Sequence, residues 1–345
     1  MPLTRQHKRA ALLIGAAGAG LFALSQLRRR RDAYDFAGKS VVITGGSRGL
    51  GLILARELAD EGARLTLVAR DEDELARAAD DLRTRQPFAE VTTVSGDVRR
   101  RYDADVAIAT AIEQYGRVDV LINNAGVIQV GPLDHMKLSD FEDAMNTHFW
   151  GPLYMTYAAL PHMRKQGEGR IVNNTSIGGR IAVPHLVPYS ASKFAAVGLS
   201  DGLRYELAKD NIVVTTVCPG LMRTGSPVNA MFKGQRAQEY ALFAISDSLP
   251  LSSINANRAA RQIVDACRHG DAELVITIQA KLAVLARTLA PELFAELMAV
   301  TTRLLPGPVP GGDEARPGRE SESEWAPSRL TDSTYQAAKE NNEMQ

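Results

Sequence analysis

The sequence predicts an α/β fold, a Rossmann-type doubly wound parallel sheet with helices on both faces. Three observations carry this expectation. Short apolar runs alternate with helical patterns from Ser40 to Ile278, the signature of a parallel sheet. A strand, a glycine turn and a helix open that stretch. Of the 345 residues, 45% are hydrophobic, enough for one substantial core.

The first strand is the buried apolar run Val41 to Ile43. Gly45, Gly49 and Gly51 follow it, and Leu52 to Asp60 continues with apolar residues at helical spacing. In such a unit, backbone N–H groups and the helix N-terminus face the pyrophosphate of a dinucleotide. The second strand, Arg64 to Arg70, ends on a cation, and Arg48 lies inside the glycine loop. Two guanidinium groups suit the 2′-phosphate of NADP, whereas a carboxylate there would suit the ribose of NAD. Asp71 offers a carboxylate. It is followed by Glu72, Asp73 and Glu74, however, and reads as the start of a helix whose N-terminus favours acids. The expected cofactor is NADP, with NAD as the alternative. Val91 to Val94 and Val118 to Ile122 are the next strands, followed by Asp97-Val98 and by Asn123-Asn-Ala-Gly126.

Tyr189 and Lys193 are four residues apart, and Ser176 lies thirteen before the tyrosine. Four residues is just over one helical turn, so phenol and ammonium share a helix face. A nearby ammonium favours the phenolate and is expected to lower the tyrosine pKa toward neutrality. A phenol tuned in this way exchanges a proton at working pH. Ser176, arriving from a strand end, is placed to hold a carbonyl oxygen beside it.

With these motifs in this order, the chain resembles the short-chain dehydrogenase/reductase (SDR) family from about Ala37 to Ile278. Thr44-Gly-Gly-Ser-Arg-Gly-Leu-Gly51 matches the family's cofactor loop, which assigns Gly45, Ser47, Arg48, Gly49, Leu50 and Gly51 to the cofactor. The resemblance further implies that Asp97 and Val98 lie at the adenine, where a helix cap is the competing role for Asp97. It implies that Asn124, Ala125 and Gly126 support the sheet near the cofactor, and that Pro219, Gly220 and Thr224 contact the nicotinamide. Asn146, in Met145-Asn-Thr-His-Phe-Trp-Gly151, is matched to the helix asparagine of the catalytic tetrad; Ser176, Tyr189 and Lys193 are the other members. The implied reaction interconverts a ketone or aldehyde with an alcohol. Tyr189 acts as general acid/base, Ser176 as a preplaced donor and Lys193 as ligand of the nicotinamide ribose. Asn146 would anchor a water that relays protons from Lys193. A homodimer or homotetramer is also implied.

Formal net charge is zero, so no bulk electrostatic case exists for nucleic acid. The histidines form no metal-like cluster; His135, His148 and His162 are expected in surface or core roles, and His185 either there or at the substrate mouth. Two cysteines, Cys218 and Cys267, make no disulfide framework, in keeping with a reducing, cytosol-facing site.

Residues 1–31 hold an uncharged run, Ala10 to Leu27, flanked by basic residues on both sides. Its length is near the lower limit for a membrane span. It reads as a signal-anchor that leaves the catalytic domain in the cytoplasm; a presequence, a cleaved signal peptide and a simply cytoplasmic protein are the competing readings. The catalytic domain is expected over 32–279. Gly225 to Leu249 reads equally as an apolar lid or as ordinary helix packing. Residues 280–305 form a leucine-rich helical extension broken or restarted at Pro291. Residues 306–345 open on Pro-Gly-Pro-Val-Pro-Gly-Gly and read as a disordered polar tail. An anchor together with an apolar lid points to a hydrophobic substrate of the lipid, sterol or retinoid-like class. The alternatives are a reductase of small soluble carbonyls and a non-catalytic nicotinamide-binding sensor or scaffold.

Overall fold

In chain order the computed structural model comprises β1 (Ser40–Thr44), α1 (Gly49–Asp60), β2 (Arg64–Ala69), α2 (Glu72–Arg85), β3 (Val91–Ser95), α3 (Arg101–Tyr115), β4 (Val120–Asn123), β5 (Gln129–Val130) and α4 (Leu138–Met145). A π-turn, Asn146–Trp150, leads into α5 (Gly151–Gln166), β6 (Gly169–Asn174), α6 (Val187–Leu207) and β7 (Ile212–Cys218). The remainder is β8 (Leu221–Arg223), α7 (Ser226–Asn229), β9 (Met231–Phe232), α8 (Arg236–Ser248), β10 (Ser253–Asn255), α9 (Ala256–His269), β11 (Glu273–Val275), α10 (Ile278–Leu289), α11 (Pro291–Leu304), β12 (Arg316–Pro317) and α12 (Asp332–Glu340). The structure describes residues 33–249 and 252–344.

Seven strands form one parallel sheet in the order β11-β7-β6-β4-β1-β2-β3. The chain runs outward from β1 to β3 and then returns to the other side of β1 with β4. That reversal opens a crevice at the carboxyl ends of β1 and β4, the place where open α/β sheets bind ligands. On one sheet face, Val42, Val94, Leu121 and Ile171 pack with Ala104, Ala107 and Ala111 of α3 and Met155 and Ala159 of α5. The alanines let α3 lie close to the sheet. On the opposite face α1 packs against α9.

The expected anchor, residues 1–31, lies outside the described residues. Among those described, no helix is long and apolar enough to cross a membrane.

The sequence boundaries shift at three places. Ser253 to Asn255 is strand β10, paired with β8, and α9 begins only at Ala256, capped by the Asn255 side chain. Of the expected lid residues, Phe232, Tyr240 and Ala241 are buried in a small core with Val130, Ala244 and Ala326, so they serve packing. The largest difference is the tail. Instead of being disordered, residues after 306 place β12 against β9 and α12 against α8. The composition hid this because the tail docks mainly through polar groups. The Tyr335 and Tyr240 hydroxyls are 2.6 Å apart, those of Thr334 and Ser248 are 2.5 Å apart, and Thr331 and Thr334 are fully buried. Such pairs satisfy buried donors without the apolar periodicity that a sequence reading detects.

Candidate active site

The glycine loop has one position that only glycine fills. A Cβ on Gly51 would stand 1.9 Å from the Gly45 carbonyl oxygen, a backbone atom that cannot move aside. Gly45 and Gly49 both have positive φ, which glycine adopts without strain. The loop is stitched to the end of β4. The Asn124 and Ala125 amides donate to Thr44 Oγ1 at 2.9 and 3.1 Å, and Asn124 Nδ2 donates to the Thr44 and Gly45 carbonyls. Asn174 Nδ2 donates to Asn124 Oδ1 at 2.9 Å, carrying the network to the end of β6. The first turn of α1 holds no acidic side chain and Arg48 provides no side-chain cap, so the sequence around α1 supplies no anion of its own to these amides; the Gly49 amide donates to the Asn341 carbonyl at 2.9 Å.

At the end of β2, Arg70 is exposed. Arg48 pairs with Glu74 at 2.7 Å, and Ser47 Oγ donates to the same carboxylate at 2.9 Å. Asp71 caps α2 by accepting the Glu74 amide at 2.8 Å, so its carboxylate is committed to the helix. Asp97 does not cap α3. It is gripped by Arg99, at 2.6 Å for the closest pair, and its carboxyl is lowered although burial opposes this, because Arg99 hydrogen-bonds it and Arg70 adds positive charge. Val98 touches the glycine at the head of α5, within 3.1 Å of a Cβ built on Gly151.

Ser176, Tyr189 and Lys193 come together at the carboxyl ends of β6 and β7. Ser176 ends the β6 segment, and its Oγ accepts the Gly178 amide at 3.0 Å. The Ser176 hydroxyl proton is thus left for a second partner, and in this structure it is shared with Tyr189. Tyr189 and Lys193 project from the first turns of α6; Lys193 Nζ donates to the Asn174 carbonyl at 3.1 Å and lies 5.7 Å from the Tyr189 ring centroid. Thr224 is buried with its Oγ1 2.7 Å from Ser226 Oγ, and the Pro219 carbonyl accepts the Ile177 amide at 2.7 Å, fixing the Pro219-Gly220 turn against Ser176.

Two expectations are corrected here. First, Tyr189 is not brought toward neutrality: burial raises it to about 12, and a hydrogen bond with Ser176 is the opposing influence. Burial also drives the Lys193 ammonium down to about 8. Each group is desolvated in its own right, and burial is the largest influence on both. Second, Asn146 is exposed. The π-turn changes the register of the helix, and the residue it turns inward is His148, with 2% exposure. His148 Nε2 accepts the Val127 amide at 3.1 Å, Nδ1 lies 2.8 Å from Ser192 Oγ, and the ring meets Tyr189 edge-on at 5.4 Å between centroids. Burial and the Lys193 charge hold its pKa well below the ordinary histidine value, so the ring is neutral. An acceptor at Nε2 places the proton on Nδ1, which donates to Ser192, and Ser192 Oγ in turn donates to the Tyr189 carbonyl at 2.8 Å.

His185, expected either at the substrate mouth or in the core, pairs with the buried Glu239 at 2.7 Å and ties the segment before α6 to α8. His135 is likewise buried, against Asp313. Among the described residues no cluster of side chains suits a metal.

The buried ammonium sets a stability expectation. Its pKa falls from the unfolded value of 10.5 to about 8, so below pH 8 the fold bears the cost of desolvating the charge. That cost fades as pH rises from 8 toward 10.5, where the unfolded chain binds more protons. Lys193→Met is expected to stabilise the protein by ~1–3 kcal/mol at pH 7 and by progressively less above pH 8. Urea denaturation at pH 7 and pH 9.5 measures both values; equal gains at the two pH values would refute the assignment.

Comparison with known proteins places this geometry. A family model described as "short chain dehydrogenase" matches residues 39–232. The chain is 33% identical over 311 residues to mouse dehydrogenase/reductase SDR family member 7B, covering 88% of this chain and 93% of that one. It is 40% identical over 204 residues to 11-beta-hydroxysteroid dehydrogenase-like 4A of Arabidopsis thaliana, covering 59% of this chain and 67% of the relative. Among solved structures, L-sorbose reductase from Gluconobacter frateurii, complexed with NADPH and L-sorbose, superposes with a TM-score of 0.63 at 26% identity, covering 70% of this chain and 97% of that one. The chain belongs to the short-chain dehydrogenase family and is an oxidoreductase of alcohol and carbonyl groups.

Proposed function

We propose that the protein is an NADP(H)-dependent oxidoreductase that interconverts a hydrophobic ketone or aldehyde with its alcohol, using Tyr189 as general acid/base. The observation that carries this reading is the convergence of Ser176, Tyr189 and Lys193 beside a glycine loop whose helix N-terminus lacks any acid. The loop fits a dinucleotide: the uncapped N-terminus of α1 and the glycine-only contact at Gly51 form a cradle for a pyrophosphate.

The glycine loop and the N-terminus of α1 would hold a nicotinamide dinucleotide, which would supply or accept the hydride at the carbonyl carbon. The chain's own residues handle the oxygen. Ser176 donates its hydroxyl proton to the carbonyl oxygen and stabilises the negative charge that develops. Tyr189 gives its proton to that oxygen, or takes it back in the oxidation direction. Lys193 would hold the nicotinamide ribose hydroxyls and, when charged, would favour the phenolate. His148 serves as a positioning residue: through Ser192 and the Val127 amide it fixes the backbone of Tyr189 against the Asn124-Ala125-Gly126 loop. This takes over the place in the constellation expected of Asn146.

Three features support NADP over NAD. Arg48 and the exposed Arg70 flank the site, Asp71 is spent as a helix cap, and Glu74, which shares the first turn of α2 with Glu72 and Asp73, is paired with Arg48. A mostly apolar cleft of about 490 Å³, lined by Leu221, Leu249, Ala280, Ala283 and Ile177, the residue after Ser176, supports an apolar substrate. Residues 1–31 as a membrane anchor would bring the enzyme to such substrates.

The test is NADPH- and NADH-dependent turnover of a carbonyl panel running from small polar aldehydes to steroid and long-chain ketones. Preference for the apolar members with NADPH is expected; binding of either cofactor without turnover of any carbonyl would favour a sensing or scaffolding role. Arg48→Ala is expected to weaken NADPH binding ~10-fold or more while leaving NADH within about threefold, since one charge-assisted phosphate contact contributes ~1.5–3 kcal/mol. Equal loss for both cofactors would show that Arg48 does not meet a 2′-phosphate.

A further inference from the structure

The glycine loop is covered by the chain's own C-terminus. After α12 ends at Glu340, the next three residues run across the turn between β1 and α1. The Gly49 amide, first of the α1 N-terminal donors, gives its hydrogen to the Asn341 carbonyl at 2.9 Å. Arg56, on α1, donates to Asn341 Oδ1 at 2.6 Å and to the Glu340 carbonyl at 2.9 Å. Asn342 Nδ2 donates to the Ser47 carbonyl at 2.9 Å and the Glu74 carbonyl at 3.0 Å, and Arg77 donates to Asn342 Oδ1 at 2.8 Å. The Glu343 carboxylate then bridges the two ends of the cofactor crevice. One end is Gly49, where a Cβ would meet its oxygens at 2.9 and 3.3 Å. The other is Gly225, next to Thr224, whose amide donates to Glu343 Oε2 at 2.6 Å.

The Asn341 carbonyl and the Glu343 carboxyl group accept amide hydrogens that the phosphates of a dinucleotide would otherwise accept. Resting on the cofactor reading above, we propose that Asn341–Glu343 is a built-in competitor of the dinucleotide: it occupies the pyrophosphate cradle and must lift away before the cofactor binds. Little of the fold needs to move. Helix α12 is held to α8 by its own tyrosine and threonine pairs, so the segment peels off from Asn341 onward and leaves α12 in place. Every contact it surrenders is a hydrogen bond that an incoming diphosphate or water replaces.

The competition has a pH sense. Glu343 is buried facing Arg48 and Glu74 from the loop and α2 and Asp247 from α8; burial lifts its carboxyl to about 7. Released, it returns to an ordinary carboxylate. Docking therefore takes up a proton between the ordinary value and about 7, is strongest at the acid end of that range, and weakens as pH rises through 7.

The test compares the full chain with a variant lacking residues 341–345, and with the full-length double substitution Asn342→Ala, Glu343→Ala in case the deletion disturbs folding. NADPH and NADH dissociation constants are measured by calorimetry at pH 6 and pH 8, and hydrogen exchange of the 332–344 peptide is followed with and without cofactor. A cradle occupied ~90–99% of the time by the tail weakens apparent affinity ~10–100-fold. Both variants are expected to bind at least ~10-fold tighter than the full chain, with a larger gap at pH 6 than at pH 8, and saturating NADPH is expected to remove exchange protection from Asn341 onward. Affinities equal within about twofold, with the tail still protected under saturating NADPH, would overturn the proposal and leave the cofactor reading standing. If no variant binds either dinucleotide, the cofactor reading fails and the competitor role fails with it.

Discussion

Tyr189→Phe is expected to lower kcat ~10²–10⁴-fold on any carbonyl the enzyme reduces, the usual worth of a positioned proton donor. The ring stays: its edge-on contact with His148 and the backbone bond from Ser192 do not involve the hydroxyl. Cofactor affinity should therefore remain within about threefold of the parent, a shift below ~1 kcal/mol. Single-turnover kinetics with pre-bound NADPH separates this loss from product release. The free enzyme holds the phenol at about 12 through burial, so at pH 7 it is a loaded proton donor. Carbonyl reduction needs that form. Alcohol oxidation needs the phenolate, so its rate should climb with pH over a range where reduction declines. Retention of more than about a tenth of kcat by the phenylalanine variant would exclude Tyr189 as the acid and shift attention to Ser176.

Gly51→Ala carries the second large effect. The added methyl would meet the Gly45 carbonyl at 1.9 Å and the Asn124 side-chain nitrogen at 2.7 Å. Neither can retreat: Gly45 is held by its amide bond to Val68, and Asn124 by its bonds to Thr44 and Asn174. Relief requires moving α1 off the strand ends, which costs ~3 kcal/mol or more, beyond ordinary overpacking. Chemical denaturation should show that loss, and dinucleotide binding should fall below detection because the cradle itself is displaced. Gly62→Ala provides the contrast. That position also has positive φ, yet a methyl there meets nothing closer than 3.8 Å, so only the backbone cost of ~1 kcal/mol applies. Equal destabilisation by the two substitutions would remove the clash as the cause.

What the sequence made legible follows from how local each signal is. β1, the glycine turn and α1 form within about twenty consecutive residues, and apolar runs and glycines suffice to place them. Ser176, Tyr189 and Lys193 sit on regular elements whose spacing survives folding, so they meet as expected. Asn146 is exposed while His148, two residues on, is buried, because a π-turn is a change of register invisible to spacing; nothing in the sequence announces the extra residue per turn. The tail failed for a different reason. Its buried side chains include threonines, alanines, a serine, an asparagine and a glutamate. Their burial depends on hydrogen-bond partners on α1, α2 and α8, far away along the chain. The phenol's pKa was misjudged because a pairwise attraction can be read from spacing, whereas desolvation depends on every neighbour.

The placement of β1 at the middle of a parallel sheet also governs how the protein emerges from the ribosome. Val41 pairs with Leu65 on one side and with Val120 on the other. During synthesis the β2 partner arrives soon. The edge that will receive β4 must wait for a further stretch of ~55 residues, ~3–11 s at 5–20 residues per second. Throughout that interval the nascent chain carries an apolar strand edge open to any other strand. Fragments that stop before Val120 should accordingly be the most aggregation-prone products of premature termination, and those extending past β4 markedly less so.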